Sequence, residues 1–130
     1  MNPHLQDIYQ AFDGKLVGRM QMKVLVCEVV SQLPQPIIDF ITKSCWFVGS
    51  YEDAWAFAFT GNDLKDQHLI FLSDDLLLQD KQQIQYTIAH EIGHVFLNHR
   101  NSIGEVQTSE EIAKQEKEAD AFAKQYGFIN

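Results

Sequence analysis

From position 90 to position 94 the chain reads His-Glu-Ile-Gly-His. On a helix, residues i and i+4 lie about 40° apart around the axis, so both imidazoles reach one metal ion. Glu91 is turned about 100° from His90. It is poorly placed to bind that ion but can reach a water held on it, which is the geometry of a metal-assisted hydrolase. The flanking residues support a helix with two distinct faces. Ile84, Ile88, Ile92, Val95 and Phe96 form one apolar stripe. His90 and His94 stand roughly opposite it, beside Tyr86, Gly93 and Leu97.

A catalytic zinc site uses three protein ligands and keeps a fourth position for water. The third ligand must come from another element. His99 lies five residues past His94, about 140° further round the same helix, and cannot share the ion while that helix continues. It reads better as a cation near a helix C-terminus. The stretch KQEKEADAFAK, residues 114–124, offers Glu116, Glu118 and Asp120. With Glu116 at zero on a helical wheel, Ile112, Ala113, Ala119, Asp120, Ala123 and Gly127 fall within about 60°. That small, apolar face is expected to pack inward and to carry Glu116 and Asp120 with it. Glu118 falls on the opposite, wet face with Glu111, Lys114, Ala121 and Gln125. A buried carboxylate is costly unless neutralised, and zinc would neutralise Glu116. Asp120, one turn on, is then placed to accept the N–H of a ligating histidine and fix its tautomer.

Several elements must position these groups. Leu5, Ile8, Tyr9 and Phe12 follow helical spacing up to Gly14. A second helix is expected from about Leu16 to Leu33, ended by Pro34-Gln35-Pro36, with Met20, Met22 and Val24 as core residues. IIDFITKS adds one or two helical turns. The pattern then changes to strands: CWFV, the alternating AWAFAFT, and the apolar HLIFLS. Joined by short turns, they are expected to form an antiparallel three-stranded meander packed on the N-terminal helices. Ser73 or Asp74 caps a short turn before the main helix, which is expected from about Lys81 to Asn98. After a loop containing Gly104, Thr108 or Ser109 caps a last helix to about Tyr126, with Glu111 as the capping-box partner of Thr108. The class is α+β, and 130 residues make one domain, 1–130.

Composition narrows the function classes. Eighteen acidic residues against ten basic ones give a net charge of −8. That argues against direct nucleic-acid binding, which rests on clustered Lys and Arg. No uncharged apolar run approaches the roughly 20 residues of a membrane span, and the N-terminus lacks the features of a secretory signal. Cys27 and Cys45 have no metal-like spacing and read as buried thiols. The expected compartment is the reducing cytoplasm.

With these residues placed, HLIFLSDDLL…QYTIAHEIGHVFLNH…EKEADAFA resembles the ImmA/IrrE family of small metallopeptidases, within the gluzincin branch of zincins. The resemblance covers roughly residues 68–126. It implies a minimal zincin fold, one Zn²⁺ bound by His90, His94 and Glu116, and Glu91 as catalytic base. It also implies a protein or peptide substrate, of which a helix-turn-helix repressor is an example. The strand Leu69 to Ser73, if it forms a sheet edge, offers an extended peptide main-chain pairing. Tyr86, His99, Tyr126 and His68 are candidates to stabilise the tetrahedral intermediate. A rival reading is a zinc-stabilised module that recognises a protein without cutting it, and a third is a metal-free remnant. Glu91 favours the enzyme, because a structural site needs no acid there and closes its fourth position with another ligand.

Overall fold

Asn2 begins the first helix, its side chain accepting the Leu5 N–H at 2.8 Å, with Pro3 in the first turn where no N–H is needed. A computed structural model describes residues 1–50, 67–97 and 108–129. Helix α1 spans Pro3–Ala11, strand β1 Leu16–Val17, helix α2 Met20–Ser31 and helix α3 Gln35–Ser44. Strands β2 (Cys45–Ser50) and β3 (His68–Ser73) follow, then a 3₁₀ turn over Asp74–Leu78. Helix α4 is Lys81–Phe96 and helix α5 is Ser109–Gln125. No helix among the described residues is long and apolar enough to cross a membrane.

The sheet corrects the sequence reading. Its order is β1-β2-β3 and every pairing is parallel, not antiparallel. Leu16 pairs with Phe47, and Cys45 to Ser50 pair in step with His68 to Ser73. Parallel neighbours need a long crossover, and helices α2 and α3 supply it between β1 and β2. Short turns between successive strands, as expected from sequence, cannot produce this arrangement. The predicted strand AWAFAFT and the loop around Gly104 lie outside the described residues. Residues 16 and 17, expected to open the second helix, instead form the two-residue strand β1. Gly18 ends it at φ 138°, and a Cβ there would lie 3.2 Å from the Gly49 Cα. Only glycine permits that conformation and that approach of two backbones. Met22 is buried as expected, whereas Met20 is 55% exposed.

Helix α4 is fixed on its back. Asp80 caps it by accepting the Gln83 N–H at 2.9 Å, worth about 1 kcal/mol. Ile84, Ile88 and Ile92 are all buried, and about 1.5–3 kcal/mol for each such side chain makes this stripe the stronger determinant of its position. Its second face is covered too. Ala89 and Gly93 of α4 and Ala119 and Ala123 of α5 are buried, and these small residues let the two helices approach closely. At Gly93 an added Cβ would lie 3.0 Å from Cδ1 of Phe122 and 3.2 Å from its Cβ. The Phe122 ring is itself packed between Phe96 and Tyr126. Thr108 caps α5, accepting the Glu111 N–H at 3.1 Å. Cys27 and Cys45 are fully buried free thiols, and burial pushes them up to about 11 and about 12.

Candidate metal centre

Helices α4 and α5 run antiparallel, so one turn of each faces one turn of the other. This follows from the order of contacts: Tyr86 and His90 meet Asp120, and His94 meets Glu116. His90 Nε2 lies 2.9 Å from Glu116 Oε2, and His94 Nε2 lies 3.0 Å from Glu116 Oε1. The two Nε2 atoms are 3.1 Å apart. Among the described residues, His90, His94 and Glu116 are the group of potential ligands that meets metal spacing, their ligand atoms all lying within 4.8 Å of one another.

The donor set fits a metal ion. Two nitrogens each about 2.0–2.1 Å from one tetrahedral zinc are about 3.3–3.4 Å apart, close to the separation here. Proton positions give an independent argument. Asp120 as a carboxylate can only accept, so His90 Nδ1 carries its hydrogen toward Asp120 Oδ1 at 2.8 Å. In the neutral ring Nε2 is then a bare lone pair. It faces a carboxylate oxygen of Glu116, also an acceptor, and the Nε2 of His94. The contact of His90 Nε2 with Glu116 Oε2, two acceptors 2.9 Å apart, calls for a cation beside them or a proton on one of them. Two imidazoles and a carboxylate suit zinc, the set expected of a catalytic site with an open fourth position.

Asp120 is the hub of the hydrogen bonds behind the histidines. The Tyr86 hydroxyl donates to the same Oδ1 that receives the His90 Nδ1–H. The Tyr86 hydrogen bond, then that of His90 and its charge, hold the Asp120 carboxyl below its usual range despite partial burial. Burial, the Asp120 bond and the nearby charges of Asp120 and Glu116 push the Tyr86 phenol up to about 12, so it stays a donor. Glu91 is partly buried, and that burial raises its carboxyl pKa. The His90 charge acts against this shift and the Glu116 charge adds to it. A carboxyl raised in this way is a better proton acceptor near neutral pH than a solvated one.

The helical phase read from sequence needs one correction. Glu116 does reach the histidines, but its side chain is 54% exposed and Ile112 is 47% exposed. Glu118, assigned to the wet face, is half-buried. Burial on α5 begins only at Ala119 and continues at Phe122 and Ala123. With His94 opposite Glu116, residues 109–113 overhang the end of α4 at Phe96, so that length of α5 has no turn of α4 beneath it. His94 is 4% exposed, while the His90 side chain beside it keeps 14%.

Of the candidates for stabilising the intermediate, Tyr86 is committed to Asp120. Tyr126 packs against Phe122 at a ring separation of 5.0 Å, and His68 lies 6.0 Å from the Phe40 ring. His99 lies outside the described residues. The role of Tyr86 as a donor to Asp120 was missed from sequence. Its signal was present: Tyr86 is one turn before His90, and Asp120 is one turn after Glu116.

Two helices thus bring a histidine pair and a carboxylate together in a group that could hold a metal ion, with the half-buried Glu91 between the histidines in sequence. Residues 81–128, under half of the chain, match the family described as Peptidase U49. That match supports a peptidase family and a proteolytic function, without specifying zinc or the ImmA/IrrE family. No curated protein and no solved structure matches the chain.

Proposed function

We propose that the protein is a zinc-dependent metallopeptidase of the HExxH type that hydrolyses peptide bonds in a regulatory protein, with a helix-turn-helix repressor as the leading substrate class. The observation that carries the reading is the convergence of His90 Nε2, His94 Nε2 and the Glu116 carboxylate from two helices. His90, His94 and Glu116 would hold the ion. When bound, zinc supplies Lewis acidity, acidifying a water to a pKa of about 7 and polarising a carbonyl.

The remaining work falls to side chains. Glu91, with its raised carboxyl pKa, takes the proton of the attacking water and passes it to the leaving amine. Asp120 holds the Nδ1 hydrogen of His90 and so presents Nε2 as a lone pair. Burial of His94 and of the isoleucine stripe keeps bulk water from the back of the site.

Two measurements test the proposal. Protein purified without chelator is expected to carry close to one zinc per chain. Glu91→Gln is expected to keep that zinc and to cleave a helix-turn-helix repressor at least about 10²-fold more slowly, the contribution typical of a general base. Cleavage at the wild-type rate by Glu91→Gln rejects the mechanism. Zinc binding without cleavage by the wild type favours the non-catalytic binding module.

A further inference from the structure

Asp120 receives two hydrogens on one oxygen, from His90 Nδ1 on one side and the Tyr86 hydroxyl on the other. Its other oxygen has none of these partners, and its side chain is 44% exposed. A half-exposed carboxylate with a single donor can rotate toward water and release the ring it orients. The second donor removes that freedom, because Tyr86 is anchored. Tyr86 is 7% exposed and belongs to the buried core, on the helix turn that precedes His90. Its ring lies 6.1 Å from the His90 ring, so one turn of α4 carries both hydrogens to the same acceptor. We infer that Tyr86 is a positioning residue for metal binding: its hydroxyl clamps the Asp120 carboxylate, which in turn fixes the tautomer and orientation of His90. This inference rests on the metal centre proposed above. It takes Tyr86 away from the stabilisation of a reaction intermediate and gives it a place behind the ligands.

The test is a double-mutant cycle on zinc affinity, read by competition with a chromophoric chelator. Tyr86→Phe keeps the packed ring and removes only the hydroxyl. It is expected to weaken zinc binding about 3–10-fold, below the roughly 10–100-fold typical of losing a partner that touches a ligand directly, which is the range expected for Asp120→Ala. In the Asp120→Ala background, Tyr86→Phe is expected to change affinity less than about 1.5-fold, because its acceptor is gone. The cobalt-substituted proteins supply a spectroscopic readout: the visible bands of Tyr86→Phe should shift toward those of Asp120→Ala. Unchanged zinc affinity in Tyr86→Phe overturns the inference. So does an equal loss in both backgrounds, which would mean that Tyr86 acts by packing or on substrate rather than through Asp120. Wild-type protein that binds no zinc removes the metal centre itself, an outcome distinct from either.

Discussion

Replacing Glu116 by alanine separates a metal ligand from an ordinary surface acid. The Glu116 side chain is 54% exposed, so its contacts with His90 and His94 are screened and worth little, at most about 1 kcal/mol. Removing it should hardly move the melting temperature without metal. With zinc the effect is different, because a ligand that binds only the folded state stabilises by RT ln(1 + [L]/Kd). At free zinc equal to about 100 times the wild-type Kd this is about 2.7 kcal/mol. For a chain of this size about 1 kcal/mol corresponds to roughly 3–6 °C, giving a zinc-induced rise of about 8–16 °C. Loss of one of three protein ligands should weaken binding by at least about 100-fold, more than the loss of a supporting partner. At the same zinc concentration the remaining stabilisation is about 0.4 kcal/mol, or roughly 2 °C. Glu118→Ala should keep the full rise. The assay is thermal unfolding followed by circular dichroism, with buffered zinc and with chelator. If Glu116→Ala keeps the wild-type rise, or Glu118→Ala loses it, the third ligand has been misassigned.

The helix contact and the thiols give two further predictions. Gly93→Ala gains about 1 kcal/mol of helix propensity but sets a Cβ 3.2 Å from the Phe122 Cβ, which is fixed to the α5 backbone. Overpacking of about 1–3 kcal/mol should dominate, lowering the melting temperature and weakening zinc binding as α5 is pushed from α4. A melting point at or above wild type refutes the close contact. Cys27 and Cys45 have thiols raised from 9.0 to about 11 and about 12, so in the unfolded chain they lose their protons first as pH rises. The folded state binds more protons above pH 9, and stability should fall from there toward pH 11–12. Denaturant titrations of wild type and of Cys27→Ala across this range check the sign: the variant should lose less stability with pH.

Local chemistry was legible in the sequence; the long-range pairing was not. Thr108 and Ser73 cap the elements they were expected to cap, because a cap is decided within three residues. The isoleucine stripe of α4 likewise follows from period alone. Strand direction does not. CWFV and HLIFLS look the same whether paired parallel or antiparallel, and the difference lies in how the chain travels between them. β1 illustrates the other gap: two residues, Leu16 and Val17, are too short to show a period, and the spacing of the following helix absorbed them.

Of the site, the wheel identified which acids reach the histidines but misjudged how deep they lie. Phase is a property of one helix, whereas burial depends on where its neighbour ends. α4 stops at Phe96, opposite the turn that carries Glu116, so Asp120 is backed by a packed helix and Glu116 stands at its rim. The two sides of the centre are therefore held differently. His94 is buried, and His90 sits on the same helix with its Nδ1 bonded to Asp120, so both imidazoles are held in place by packing and a hydrogen bond. Glu116 is held mainly by the packing of Ala119, Phe122 and Ala123 one to two turns further along α5. Metal affinity should then respond to changes at that packed contact as strongly as to changes beside the ligands. This is why a methyl group on Gly93, which touches no ligand, is expected to be felt at the metal.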